Sequence, residues 1–411
     1  TNYHQYLTPE QFTAQFGPTE EDYAKVINFA QANGLTVAGT HPNRLVLDVQ
    51  STVADVEKTF HVKMRNFHHP KEDRTFYAPD TDPTVSAALP ILHISGMDNY
   101  YLMRPNSSFR PINSIANATP NAGTGPLGTY MGADFRKAYV PGTPLTGAGQ
   151  NVGLLQFDGY YPGDPAAYAQ TIGLANPPTL VNVPIDGGVP VPGPENGEVC
   201  LDIEMIMAMA PGVSNIYVYQ APNPSPWVDI LSRMANDNLA RQLSCSWSGG
   251  PPDASAEQIF QQMALQGQTF FNAVGDTDAF TDENPIEFPS DSPNITEVGG
   301  TVLTTTGAGD YQSEAVWNDG LPRPPALEGS SGGISTFYSI PTWQQGLNMT
   351  NSHGSQTFRN TPDVALTADN VFVISDDGQA YISGGTSAAA PLWAAFTALV
   401  NQQATTNGHA S

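Results

Sequence analysis

Histidine is almost missing from the larger part of this chain. Of eight histidines in 411 residues, six (His4, His41, His61, His68, His69 and His93) precede residue 100. His353 lies in a polar loop, Asn348 to Ser355, and His409 in Thr406-Asn407-Gly408-His409. Neither falls in a helix-like segment, so a helix-borne imidazole base is not expected. Cysteine is limited to Cys200 and Cys245. One pair cannot define a disulfide framework, and both lie in apolar runs as small hydrophobes do. No apolar run reaches the ~18 residues of a membrane span. Positive charge is scarce: 15 Lys and Arg face 39 Asp and Glu, for a net charge of −24. That balance argues against nucleic acid and anionic membranes as partners. It suits life at low pH, where protonated carboxylates leave self-repulsion modest. No signal peptide is visible, and Thr1 need not be the natural start.

Apolar residues make up 40% of the chain, ample for a core, and the length implies more than one domain. Residues 1–103 read as a small α+β domain. Thr8-Pro9-Glu10-Gln11 carries cap, first-turn proline and capping-box signals. Glu20 to Ala32 places Tyr23, Val26, Ile27 and Ala30 on one helical face. Strand-like runs at 35–38 and 44–49, a helix at 51–60 and a strand at 62–67 follow. This order is that of a ferredoxin-like split β-α-β sheet without its first strand. Residues 104–125, rich in Pro, Asn, Ser and Gly, read as a linker with little to hold it in regular structure. They include the sequon Asn106-Ser107-Ser108, and other sequons fall at Asn117, Asn294 and Asn348. From 126 to 411, strand-like runs (151–155, 215–219, 242–246, 269–274, 371–375) alternate with helical ones (165–172, 197–210, 227–237, 254–266, 388–402). Such alternation predicts an α/β domain with a mostly parallel sheet, helices on both faces, and a site beyond the carboxyl ends of the strands.

Two motifs carry chemistry. Ser383-Gly384-Gly385-Thr386-Ser387-Ala388-Ala389-Ala390-Pro391 places a serine on a glycine turn opening a helix. The helix N-terminus offers N–H groups and a positive dipole to an oxyanion. Pro391 is expected in the first helical turn. An ordinary capped helix is the bland alternative. The run resembles the nucleophile turn of subtilisin-like serine peptidases, which leaves the base to be found. Gly197-Glu198-Val199-Cys200-Leu201-Asp202 puts Glu198 and Asp202 four apart on one face of an apolar helix. A buried carboxyl pair shares a proton. Glu204 better fits a solvated acidic stripe.

Together, Gly-Glu-x-x-x-Asp and Gly-Gly-Thr-Ser-Ala-Ala-Ala-Pro resemble the sedolisin (serine-carboxyl peptidase) family, of the kumamolisin type. Tyr3 to Phe12 resembles its activation propeptide, and Ser244-Cys245-Ser246-Trp247 its substrate-cleft strand. Phe288 to Pro293, Val298 to Thr301 and Thr361 to Ala365 match as well. The resemblance implies Ser387 as nucleophile, Glu198 as base, Asp202 as its orienting partner and Asp276 as the protonated oxyanion-hole acid. It implies Ser246, Trp247 and Glu287 as substrate-binding, with Glu287 favouring a basic residue before the cut. Gly275-Asp276-Thr277-Asp278 departs from the relatives' Gly-Asp-Ser-Gly, and Gln156 stands where some carry glutamate. The family binds calcium after the nucleophile helix, beyond Ser411, so no ligand is named.

The expectation is an acid-acting endopeptidase precursor, secreted to an acidic environment and monomeric. Its partners are protein or peptide substrates, with residues 1–103 as an intramolecular inhibitor, and neither nucleic acid nor membrane. At neutral pH the cluster Lys63, Arg65, His68, His69, Lys71 and Arg74 is expected to pair with carboxylates of the larger domain. A catalytically impaired binding protein and a neutral subtilisin-type peptidase are the competing readings.

Overall fold

A computed structural model describes residues 5–114, 123–282, 284–306, 309–320, 328–349 and 351–409. The chain forms two compact units. The first comprises Thr1–Leu102, Asn223–Asn238 and Asp253–Gly267, and the second the remainder.

In the first unit, helices Pro9–Phe16, Glu20–Ala32 and Val53–Phe60 each start at a threonine whose hydroxyl accepts a backbone N–H. Thr8 and Gln11 complete the capping box. The strands pair as two antiparallel hairpins, Thr36–Thr40 with Leu47–Gln50 and Met64–His68 with Thr75–Pro79. Ala30, Leu35, Phe60, Val62 and Met97 form a small core. Helices Trp227–Asp237 and Ala254–Leu265 belong to this unit. Buried Asn43 donates to Ser232 Oγ (3.3 Å) and Gln262 Oε1 (2.9 Å), and Leu7 N–H donates to the Leu265 carbonyl (2.9 Å). Three of the clustered bases find acids inside the unit, contrary to expectation. Lys63 pairs with Glu57 (2.9 Å), Arg65 with Asp80 (3.7 Å) and Arg74 with Glu72 (2.5 Å). Acids close by in the local fold reach them first.

The second unit is built on a sheet whose strands run in the order Tyr311–Val316, Thr296–Thr305, Thr269–Ala273, Gln242–Cys245, Asn151–Gln156, Asn215–Gln220, Thr179–Pro184. Val364–Thr367 also pairs with Thr296–Thr305. All neighbours are parallel except Tyr311–Val316, which is antiparallel. This is the expected mostly parallel α/β sheet. Helix Asn196–Met209 is buried along its whole length and packs against helix Thr386–Thr406.

Three expectations change. Val371–Ser375 lies outside the parallel sheet, in an antiparallel one with Gln379–Gly384 and Ser108–Pro111. The strand leading into the serine turn is thus Gln379–Gly384. Pro391 sits inside its helix rather than in the first turn. The segment read as an irregular linker is strand over Arg104–Pro105 and Ser108–Pro111, then a 3-10 turn at Ile112–Ser114. Residues 115–122 of the expected processing region, with the Asn117 sequon, lie outside the described residues.

Candidate active site

Gln156, Ser246 and Asp276 stand at or just past the carboxyl ends of adjacent parallel strands, where such sheets place their ligands. Facing them are the N-terminal two turns of helix Asn196–Met209, carrying Glu198 and Asp202, and the first turn of helix Thr386–Thr406, carrying Thr386 and Ser387. Glu198, Asp202 and Ser387 are all fully buried.

Asp202 is held on both oxygens. Gln156 Nε2 donates to Oδ2 (2.6 Å) and Ser246 Oγ to Oδ1 (2.7 Å). Gln156 Oε1 in turn accepts from Trp247 Nε1 (2.9 Å). Gln156 thus serves as a neutral donor where some relatives carry an acid. Glu198 is less complete. Its Oε2 accepts from the Ser107 hydroxyl, while Oε1 finds no hydrogen-bond partner among the described residues. Burial, then the neighbouring Asp202 charge, holds the Glu198 carboxyl well above its usual range, against the opposing hydroxyls of Ser107 and Ser387. Burial likewise raises Asp202, against its bonds from Ser246 and Gln156. The Ser387 hydroxyl lies beside Glu198, but its well-formed hydrogen bond goes to the Ser246 carbonyl (3.3 Å).

Asp276 Oδ1 accepts from Thr386 N–H and Thr386 Oγ1, both at 2.8 Å. Burial outweighs those bonds and pushes the carboxyl up to about 7. Gly385 links the two elements at φ 138°, a backbone region that side chains rarely adopt. A Cβ there would overlap the Asn106 carbonyl oxygen and lie 2.6 Å from Asp276 Oδ2. Pro391 has a local consequence. It has no N–H to give to the carbonyl four residues back, which is that of Ser387. Ser246 Oγ lies 3.3 Å from that carbonyl instead.

The structure therefore brings Glu198, Asp202, Asp276, Ser246 and Ser387 together. Trp247 is buried behind Asp202, bonded to Gln156. Glu287 stands at the rim, 3.5 Å from Ser248 Oγ. Glu204 does not form a solvated stripe. It is fully buried, accepts the Ile374 N–H (3.2 Å), and burial raises its pKa well above the usual range. Sequence reasoning missed Ser107, Ser248 and Thr386; only Thr386 carried a signal, its place in the glycine-turn motif. Asn106 is buried and its amide donates to the Ala273 carbonyl (3.3 Å), leaving no room for a glycan. Among the described residues one trio of metal-capable groups comes together, His41, Asp48 and Asp229. An imidazole and two carboxylates do not fit calcium, which takes about six to eight oxygens.

A serine at a helix N-terminus, set among buried carboxyls beyond the carboxyl ends of a mostly parallel sheet, defines a serine-carboxyl peptidase arrangement. Comparison with known proteins agrees. Residues 1–100 match the family model for the pro-kumamolisin activation domain. Kumamolisin of Bacillus sp. (strain MN-32) is 32% identical over 97% of this chain and 75% of its own length. Sedolisin of Pseudomonas sp. (strain 101) is 28% identical over 94% of this chain and 69% of its own. The solved Pseudomonas sedolisin, complexed with two molecules of pseudo-iodotyrostatin, superposes with a TM-score of 0.59. That match has 26% identity and covers 68% of this chain and 83% of that one. The chain belongs to the kumamolisin–sedolisin family of serine-carboxyl peptidases and carries its activation domain.

Proposed function

We propose that this chain is the precursor of an acid-acting endopeptidase with Ser387 as nucleophile, Glu198 as general base and Asp202 as its partner, coupled to Glu198 through charge and sharing its proton once an Asp202 oxygen turns from Gln156 or Ser246. Asp276 is the oxyanion-hole acid. The observation that carries this reading is the buried Glu198 carboxyl beside the Ser387 hydroxyl, its Oε1 without a hydrogen-bond partner among the described residues. Rotation of that hydroxyl from the Ser246 carbonyl to Glu198 aligns it for attack. The Ser387 N–H and a protonated Asp276 then receive the oxyanion.

The acid range follows from the groups. A histidine base is protonated below about pH 6 and useless there, whereas an unperturbed carboxylate is partly ionised at around pH 3–5. Burial raises Glu198 above that range, so it acts as base through the smaller ionised fraction that remains. Asp276, raised to about 7, is neutral and able to donate throughout that range. Its ionisation above neutrality would place a negative charge against the oxyanion. Protein substrates, secretion to an acidic environment and a monomeric state complete the reading. So does inhibition by residues 1–103, relieved when the precursor cuts itself within about residues 104–128 on a shift to about pH 4. Calcium takes no part in the proposed chemistry.

A pH–activity profile on a denatured protein substrate, wild type against Ser387→Ala, tests this. A maximum at around pH 3–5 that disappears in Ser387→Ala is expected. A maximum near pH 8 with no activity near pH 4 would overturn the carboxylate base.

A further inference from the structure

Resting on that reading, we infer that Asn106–Ser107 is the bond the precursor cuts in itself, and that the Ser107 hydroxyl, by engaging Glu198, delays the cut. Four observations converge on this bond. On its N-terminal side, Arg104–Pro105 pairs antiparallel with Trp247–Ser248. On its C-terminal side, Ser108–Pro111 pairs antiparallel with the strand leading to Ser387. The chain is therefore extended and clamped on both flanks, as a bound peptide is. Between them, Asn106 N–H donates to the Ser246 carbonyl and the Asn106 carbonyl accepts the Ser387 N–H, each at 3.0 Å. That carbonyl oxygen also lies over Gly385, where the missing Cβ leaves it room beside Asp276 Oδ2.

The Asn106 side chain fills a polar pocket. Its Nδ2 donates to the Ala273 carbonyl (3.3 Å) and its Oδ1 accepts from Ser248 Oγ (3.2 Å). One acceptor and one donor together match a carboxamide and leave an aliphatic side chain with two unpaired polar groups. Beyond the bond, Phe109 lies against Gly197, at whose position a Cβ would meet the ring at 3.2 Å. The glycine ahead of Glu198 thus seats a side chain of the segment being cut.

In the cut, Ser387 Oγ bonds to the Asn106 carbonyl carbon as its proton passes to Glu198. The C–N bond breaks, and the Ser107 nitrogen leaves with that proton. Water then attacks the acyl-serine, giving one proton to Glu198, which returns it to Ser387 Oγ. The products are a carboxyl at Asn106 and an amine at Ser107. As the structure stands, the first step is held back. The Ser107 hydroxyl, donating to Glu198 Oε2, stabilises the charged carboxylate and weakens it as a base, and Ser387 Oγ points to the Ser246 carbonyl.

The test uses the full chain purified near neutral pH and shifted to about pH 4, with early products read by intact mass and N-terminal sequencing. The first new N-terminus should be Ser107-Ser108-Phe109-Arg110. Ser107→Ala should cut faster, on the order of tenfold, the worth of one charge-assisted hydrogen bond. Asn106→Leu should slow cutting at this bond by about tenfold or more. A first cut elsewhere, still abolished by Ser387→Ala, would overturn the bond assignment while leaving the proposed enzyme standing. Cutting of Ser387→Ala at the wild-type rate would instead overturn the enzyme reading itself. An unchanged or slower cut in Ser107→Ala would overturn the role of the hydroxyl. Folding of each variant is checked by circular dichroism and by its thermal transition.

Discussion

Glu198 and Glu204 occupy one helix, are buried to the same extent and have carboxyls shifted in the same direction. They differ in what their oxygens meet. Glu204 takes the Ile374 backbone N–H, tying the helix to the neighbouring antiparallel sheet. Glu198 stands beside Ser387 and meets a hydroxyl of the segment lying in the cleft, while its second oxygen has no hydrogen-bond partner among the described residues. Burial and a raised pKa therefore do not separate the two. The incomplete partner set does, because a group with an unused lone pair next to a nucleophile can still accept a proton.

Substitutions can sharpen or break that contrast. The largest expected effect is Ser387→Ala, which should lower kcat on an added peptide by roughly 10⁵–10⁶. Glu198→Gln keeps shape and removes basicity, so kcat should fall by roughly 10²–10⁴ with the thermal transition intact. Near-normal turnover in the purified variant would make Glu198 structural and erase the contrast. Asp276→Asn keeps a donor that cannot ionise. Its activity in acid should fall by about tenfold or less, while the alkaline loss expected of wild type as Asp276 ionises moves upward. An unmoved alkaline limb would mean that another group sets it.

Smallest in turnover is Glu204→Gln, expected to change kcat by less than about threefold. Its effect should appear in stability against pH. The Glu204 carboxyl has a folded pKa above its unfolded value. Its neutral form therefore contributes stability that is fully present below about pH 4, and is lost as pH rises through the folded value. The same sign holds for Glu198, Asp202 and Asp276. The melting temperature of an inactive Ser387→Ala background should thus fall from about pH 4 to about pH 8. Adding Glu204→Gln should flatten that fall. A steeper fall would place the ionised form, not the neutral one, in the fold.

Both levels of structure were partly legible in the sequence. The helix at 227–237 was readable to the residue because its apolar positions recur at helical spacing and Pro226 marks its start. Glu198, Asp202 and Ser387 were readable because motif and spacing together specify them. Strand Gln379–Gly384 was not, since Gln, Ala, Ser and Gly dilute its apolar pattern; its place comes from pairing on both edges. Residues 104–111 looked like linker for the same reason. Their partners lie more than a hundred residues away, and local composition carries no trace of such pairing. Glu204 looked solvated because charge along a helix does not say which faces are covered.

The proline inside the nucleophile helix has one more consequence. Ser246 owns a single hydroxyl hydrogen and lies near two acceptors, Asp202 Oδ1 and the Ser387 carbonyl. While Asp202 is ionised, that hydrogen belongs to the carboxylate. Once Asp202 carries a proton and donates it, the hydroxyl is released to grip the Ser387 carbonyl, which Pro391 has left free. The turn bearing the nucleophile would then be tightened by the arrival of one proton, and acidity would act on the mechanical seating of the serine as well as on the charge of its neighbours.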